Sequence, residues 1–166
     1  SQFKLSDLKI FKKIKKPILF CTGNHDYYIK GSKDKLNQLS KYNITYLNNC
    51  SKLIKNFNII GINDNQSIEE QKNIAHRYFD KNRFNIYLTH KPLLFNILNS
   101  SGLVLSGHTH NGQIFPFNLI VKIKFPHVYG FFKKGNTDLY VSSGSGCWGP
   151  RMRLGSNNEI ILLEFI

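Results

Sequence analysis

The sequence predicts an α/β fold with antiparallel character toward its end. Three observations lead there. Short apolar runs bounded by Gly, Asn and Ser recur along the chain, and capped or amphipathic segments alternate with them. Three of the runs end in loops that hold four of the six histidines: Gly23-Asn24-His25-Asp26, Thr89-His90 and Gly107-His108-Thr109-His110. In open α/β sheets ligands gather outside the carboxyl ends of the strands, so side chains distant in sequence can meet on one centre.

Residues 3 to 14 place Leu5, Leu8, Phe11 and Ile14 on one helical face, and Pro17 stops that helix. Ile18 to Cys21 is a short buried strand running into Thr22-Gly23-Asn24-His25-Asp26. Ser32 can cap a second helix carrying Leu36 and Leu39. Ile44 to Leu47, Lys52 to Ile54 and Asn58 to Ile62 read as strands, with a turn at Asn56 to Asn58. Ser67 and Glu70 fit the reciprocal capping box and open a helix reaching Phe79. Phe84 to Leu88 is a strand, Leu93 to Leu98 a short helix, and Leu103 to Ser106 another strand. Further strands are expected at Leu139 to Ser142 and Glu159 to Phe165. The apolar stretch Gln113 to Gly130 reads either as a β-hairpin packed on the core or as a flap with basic flanks. No repeat, low-complexity tract or linker divides residues 1–166.

The chain has 166 residues, enough for one domain with a real core, and its 41% hydrophobic and 20% charged composition argues against global disorder. No apolar run approaches the roughly 20 residues that cross a bilayer. The first residue is Ser1, and the start is amphipathic rather than a signal peptide. Lys and Arg outnumber Asp and Glu by 23 to 10, a formal charge of +13. That surface bias favours an anionic partner such as nucleic acid, anionic lipid or a phosphorylated substrate. Cys21, Cys50 and Cys147 cannot all pair with one another, so free thiols in a reducing compartment are expected.

Neutral imidazoles of His90, His108 and His110 suit Zn, Mn, Fe or Ni, and Asn24 offers a carbonyl oxygen. His108 and His110 are two apart and would face opposite ways on a strand; in an irregular loop they can reach two neighbouring metals. His25 could donate a proton, with Asp26 orienting its ring. An HxH or a GNHD is weak by itself. The threefold repetition of strand and then ligand loop points to a built site.

These motifs resemble those of the calcineurin-like metallophosphoesterases, whose later signatures are GNH[ED], a His after a strand, and GHxH. Here they stand as Gly23 to Asp26, Leu88-Thr89-His90 and Gly107 to His110, and the resemblance covers nearly the whole chain. The segments SGHTHNGQIFPF and LYVSSGSGCWGPRMRLGSNNEIILLEF look like the bacterial branch that includes membrane-associated phosphoesterases. The resemblance implies a four-layer αββα sandwich with a mixed sheet. It also implies hydrolysis of a phosphoester or diphosphate by a metal-bridging hydroxide, with two divalent ions in the intact enzyme. Asn24, His90 and His108 would ligate the second metal and His110 the first. His25 would contact the scissile phosphate or protonate the leaving group, with Asp26 as its orienter.

The family's first motifs, Asp-x-His and Gly-Asp-x-x-Asp, should precede Asn24. Only Asp7 is acidic before that point, and it lies in the lysine-rich first helix, where a solvated charge is the simpler reading. The chain is therefore read as the C-terminal portion of a single metallophosphoesterase domain whose N-terminal strands are missing. On that reading at most one metal is well held, the isolated chain is inactive or very weak, and an exposed sheet edge favours self-association.

A phospholipid or lipid-linked diphosphate is the substrate class the membrane-associated branch implies, with the Gln113 to Gly130 flap making peripheral membrane contact. Localisation would be cytoplasmic or on the inner face of the membrane. Arg151 and Arg153, in a Gly-rich tail, are candidates for holding a second phosphate, against an ordinary surface or packing role. His76 and His127 lie away from the motif loops, and Trp148 is expected to pack against the loop. A non-catalytic phosphate- or lipid-binding scaffold is the competing function. Nucleic-acid binding lacks a recognition helix or aromatic repeat.

Overall fold

Parallel pairing at the centre of one sheet sets the direction in which the loops of this chain point. A computed structural model describes residues 4–165, so position 3, where the sequence opens its first helix, lies outside the described residues. The larger sheet has six strands in the order β3 (Cys50–Ile54), β4 (Phe57–Gly61), β5 (Phe84–Leu88), β6 (Gly102–Ser106), β8 (Thr137–Val141) and β7 (Gly130–Lys134). The four inner strands β4, β5, β6 and β8 run parallel, and the edge strands β3 and β7 run antiparallel to their neighbours. The mixed character expected from the sequence is therefore observed. A separate parallel pair joins β1 (Ile18–Phe20) to β2 (Ile44–Tyr46).

Register explains the core. Ile60, Tyr87, Val104 and Leu139 are consecutive partners across β4, β5, β6 and β8, so they form one row on one face, each 0% exposed. Helices α2 (Ile68–Tyr78) and α3 (Leu94–Ile97) supply the matching surface through Ile74, Ala75, Leu94 and Phe95. The capping box is present as the sequence predicts: the Ser67 amide donates to Glu70 Oε2 at 2.7 Å, and the Glu70 amide donates back to Ser67 Oγ at 3.3 Å. The same face carries a polar pair two residues back along β4 and β5, with Asn58 Nδ2 donating to Asn85 Oδ1 at 2.8 Å.

The two sheets are tied where their strands end. Leu47, next after β2, packs against Gly61 so closely that a Cβ on Gly61 would sit 2.2 Å from it. Asn63 is the hub. Its Oδ1 accepts from the Thr22 amide (3.3 Å), and its Nδ2 donates to Tyr46 Oη (2.8 Å) and Asn48 Oδ1 (2.7 Å). These bonds bring the end of β1 to the edge from which β4, β5 and β6 deliver their loops. Among the described residues β1 pairs only with β2, and an apolar cleft of about 340 Å³ opens between it and Leu5, Leu8 and Phe11.

Several local expectations are corrected. Leu5–Lys13 is a 3-10 helix rather than an α-helix, capped by Asp7, whose Oδ2 accepts from the Lys4 amide at 3.1 Å. The second helix, α1 (Ser32–Asn37), starts from Gly31 rather than from a Ser32 cap, and a 3-10 turn, Leu39–Tyr42, follows it. Gln113 to Gly130 is not a hairpin. It holds helix α4 (Phe117–Lys124), because apolar residues at nearly every position give no alternation for a strand to use. Glu159 to Phe165 is no strand either; Ile160 and Leu162 stand 93% and 82% exposed and the segment pairs with no strand among the described residues, although the Phe165 ring packs on those of Phe57 and Phe84. Strand β7 went unpredicted.

Candidate metal centre

Each strand of the parallel core hands its last residue to a loop on one edge. Gly61 aligns with Leu88, and Leu88 with Leu105, so the loops beginning at Ile62, Thr89 and Gly107 leave side by side. The β1 loop joins them through the Asp64 amide, which donates to the Thr22 carbonyl at 3.3 Å. Within that loop Asp26 Oδ2 accepts from the Gly23 amide at 2.7 Å and closes the 3-10 turn Asn24–Tyr28. Asp26 thus orders the backbone that carries Asn24 and His25. Burial, offset by the Gly23 bond, holds its carboxyl above the usual range.

The result is a convergence of three side chains from three loops. His90 Nε2 lies 2.7 Å from Asn24 Oδ1 and 2.9 Å from His108 Nδ1. One imidazole nitrogen is thereby in contact with two acceptor-capable atoms, yet it carries at most one proton. As a hydrogen-bond set the cluster is over-subscribed; as a ligand set it gathers two donor atoms around a third. Two ligands about 2.1 Å from a divalent ion and at right angles to each other stand about 3.0 Å apart, close to the observed spacings.

Electrostatics keep these imidazoles neutral, the form that binds metal. Burial pushes His108 down to about 3, reinforced by His90 and Lys91. Burial likewise lowers His90 and His110. A Cβ on Gly23 would lie 2.8 Å from His90 Cε1 and Nδ1, so the absence of a side chain there is what leaves the ring its place.

The loop after β6 resolves how two histidines two residues apart serve different neighbours. His108, His110, Asn111, Gly112 and Gln113 all have φ between 50° and 71°. Left-handed backbone in non-glycine residues costs about 1–3 kcal/mol each and collects at functional sites. The loop turns His108 toward His90 and sets His110 beside Arg153, whose Nη2 lies 3.5 Å from His110 Nδ1. His25, at the exposed rim, stacks edge-on against Tyr28 at 5.4 Å.

Arg153 is spent on backbone. Its guanidinium donates to the carbonyls of His110 (3.1 Å), Ser143 (2.7 Å) and Gly146 (2.5 Å), clamping the tail onto the ligand loop. Arg151 is exposed on the same tail. Trp148 anchors through its main chain, not its ring: its amide donates to Gln113 Oε1 at 2.6 Å, while the residue stays 55% exposed. His127 packs between Phe95 and Phe132, away from the centre.

Sequence reasoning missed the ion pair behind the centre. Lys91 Nζ meets Asp64 Oδ2 at 2.8 Å, with the Asp64 side chain only 4% exposed. Its one signal was that Lys91 directly follows His90. Among the described residues no three His, Cys, Asp or Glu side chains converge, so the donor set is two imidazoles and one amide oxygen. That set fits one divalent ion, not two.

Comparison with known proteins places the chain among metallophosphoesterases. A Campylobacter jejuni protein named as an uncharacterized metallophosphoesterase is 39% identical over 155 residues, covering 87% of this chain and 41% of its own length. A Helicobacter pylori protein of the same description is 36% identical over 156 residues, covering 89% and 42%. A cattle protein named as a transmembrane protein with a metallophosphoesterase domain is 30% identical over 171 residues, covering 87% and 37%. The chain spans about two fifths of the length of these curated relatives. No solved structure matches it significantly. Residues 2–112, which include Asn24, His90, His108 and His110, match the calcineurin-like phosphoesterase family, and the chain belongs to that family.

Proposed function

We propose that the chain forms one half of a divalent-metal centre that hydrolyses a phosphoester or diphosphate bond. The observation that carries this reading is the approach of Asn24 Oδ1 and His108 Nδ1 to one atom, His90 Nε2, at 2.7 and 2.9 Å. A divalent ion held there supplies Lewis acidity and lowers the pKa of a water. Asn24, His90 and His108 bind and orient that ion, and His110 faces a second position. A water oxygen bonds to phosphorus and loses a proton to solvent, while exposed His25 contacts the phosphate and gives a proton to the leaving oxygen as its bond to phosphorus breaks. Asp26 holds the loop that presents His25.

Among the described residues no carboxylate joins the three ligands, which makes efficient turnover by these residues alone an unexpected outcome and keeps a phosphate- or lipid-binding scaffold as the second reading. The cattle relative is named as a transmembrane protein, which supports a lipid-borne phosphoester as substrate class. No helix among the described residues is long and apolar enough to cross a membrane.

Titration with Zn2+ or Mn2+, read alongside hydrolysis of bis-p-nitrophenyl phosphate, tests the proposal. One ion per chain is expected, weakened by a factor of about 100 or more in His90→Ala, with slow or no hydrolysis. Metal uptake unchanged in both His90→Ala and His108→Ala would overturn it.

A further inference from the structure

Helix α4 is inverted relative to an ordinary surface helix. Asn118 and Val121 are its partly buried positions, and Phe125, one turn on, is 6% exposed. The six outward positions are Phe117, Leu119, Ile120, Lys122, Ile123 and Lys124. The four apolar ones are 48%, 54%, 58% and 86% exposed, and Phe115 just before the helix is 56% exposed. Water-facing helix positions are ordinarily polar, and single exposed apolar residues are common; four on two turns make a patch.

The inner side of this helix rests on the metal-centre loop. Gly112 lies so near α4 that a Cβ there would meet Asn118 Cα at 2.2 Å, and the Phe125 ring packs edge-on against His108 with centroids 5.2 Å apart. The helix therefore joins an apolar outer surface to the ligand loop on its other side.

Resting on the reading of the site as a phosphoester hydrolase centre, we propose that α4 docks on an anionic membrane surface and thereby offers the His90–His108 centre to phosphoester groups carried there. Charge selects lipid as the occupant. Lys122 and Lys124 lie among the apolar positions, no acidic residue occurs between Asp80 and Asp138, and the chain carries +13. Lysines of this kind lay their stems along apolar surface and reach the headgroups with their ammonium groups. A second copy of the chain is disfavoured on that face, because it would set Lys122 and Lys124 against their own counterparts.

The test floats the 166-residue chain with phosphatidylcholine vesicles and with phosphatidylcholine–phosphatidylglycerol vesicles. The variants are Ile120→Glu/Ile123→Glu and Lys122→Ala/Lys124→Ala, both confined to exposed positions, with circular dichroism as the check on folding. Anionic vesicles are expected to bind the chain at least about tenfold more tightly than neutral ones, and each variant to lose about tenfold or more. Absence of flotation, flotation indifferent to Ile120→Glu/Ile123→Glu, or a dimer in sedimentation that this variant dissolves would each overturn docking. Binding is read without turnover, so the two readings fail separately. A chain that floats but takes up no metal sinks the catalytic reading, and one that takes up metal but never floats sinks the docking.

Discussion

Replacing Gly23 by Ala probes the centre without touching a ligand. The Gly23 backbone, with φ −99° and ψ 178°, is open to any residue, so the substitution carries no backbone strain. Its effect comes from the new Cβ, which would sit 2.8 Å from His90 Cε1 and Nδ1 and 3.1 Å from Cγ. Restoring a carbon contact of about 3.5 Å requires the ring to retreat by about 0.7 Å. The ring cannot retreat freely, because Nε2 is placed between Asn24 Oδ1 and His108 Nδ1 at 2.7 and 2.9 Å. Overpacking of this kind costs about 1–3 kcal/mol, offset by about 0.4–1 kcal/mol from the stiffer unfolded chain. A net loss near 1 kcal/mol lowers Tm by about 2–4 °C in a chain of this size. Displaced ligand geometry weakens metal affinity by about 10–100-fold. The assay is Zn2+ competition against a chromophoric chelator beside thermal melts, with Gly146→Ala as control, since nothing lies within 4 Å of a Cβ there. Gly23→Ala binding Zn2+ within about twofold of the parent, at unchanged Tm, would refute the reasoning.

Three further outcomes are expected. The metal-free chain should lose stability as the pH falls from 6.5 toward 3, because the unfolded His108 takes up a proton that the folded one, pushed down to about 3, refuses. Between pH 6.5 and 4.5 that amounts to about 2.3 kcal/mol in full, roughly halved by solvent screening of a half-buried group; urea titrations should show this slope reduced in His108→Gln, and an identical slope would contradict it. Asn63→Leu strands the Thr22 amide and removes the donor to Tyr46 Oη and Asn48 Oδ1, so urea unfolding should register a loss of about 2–4 kcal/mol; a loss under about 0.5 kcal/mol would remove Asn63 as the hub between the sheets. Arg153→Lys cannot reproduce the fork to the His110, Ser143 and Gly146 carbonyls. Faster tryptic cleavage of the tail is expected there, and unchanged cleavage would mean the clamp is not holding it.

Much of this fold was legible because its causes are local. The capping box of Ser67 and Glu70 and the apolar runs Phe84–Leu88 and Leu103–Ser106 are fixed by neighbours a few residues away, and the structure puts α2, β5 and β6 there. The loops that end β1, β5 and β6 were legible for the same reason, as ligand-bearing residues set after short strands. The Gln113 to Gly130 stretch was not legible, because near-continuous apolarity has no period, and packing on Gly112 and His108 goes with its forming a helix. Nor was Glu159 to Phe165: its short apolar run reads as a strand, but a strand forms only by pairing with another, and it pairs with none among the described residues.

What the sequence determined by itself is therefore the kind of chemistry: asparagine and histidine donors on glycine-flanked loops, in the order that marks a metallophosphoesterase. What only the tertiary structure decided is which donors meet. Asn24 stands 66 residues before His90, and His108 stands 18 after it. Asp64 and Lys91 pair across 27, and Arg153 reaches His110 across 43. Contacts at such separations follow from strand register and loop conformation, which depend on the whole sheet being in place. Residue identity sets what each side chain can do; the parallel alignment of β4, β5 and β6 sets where it does it.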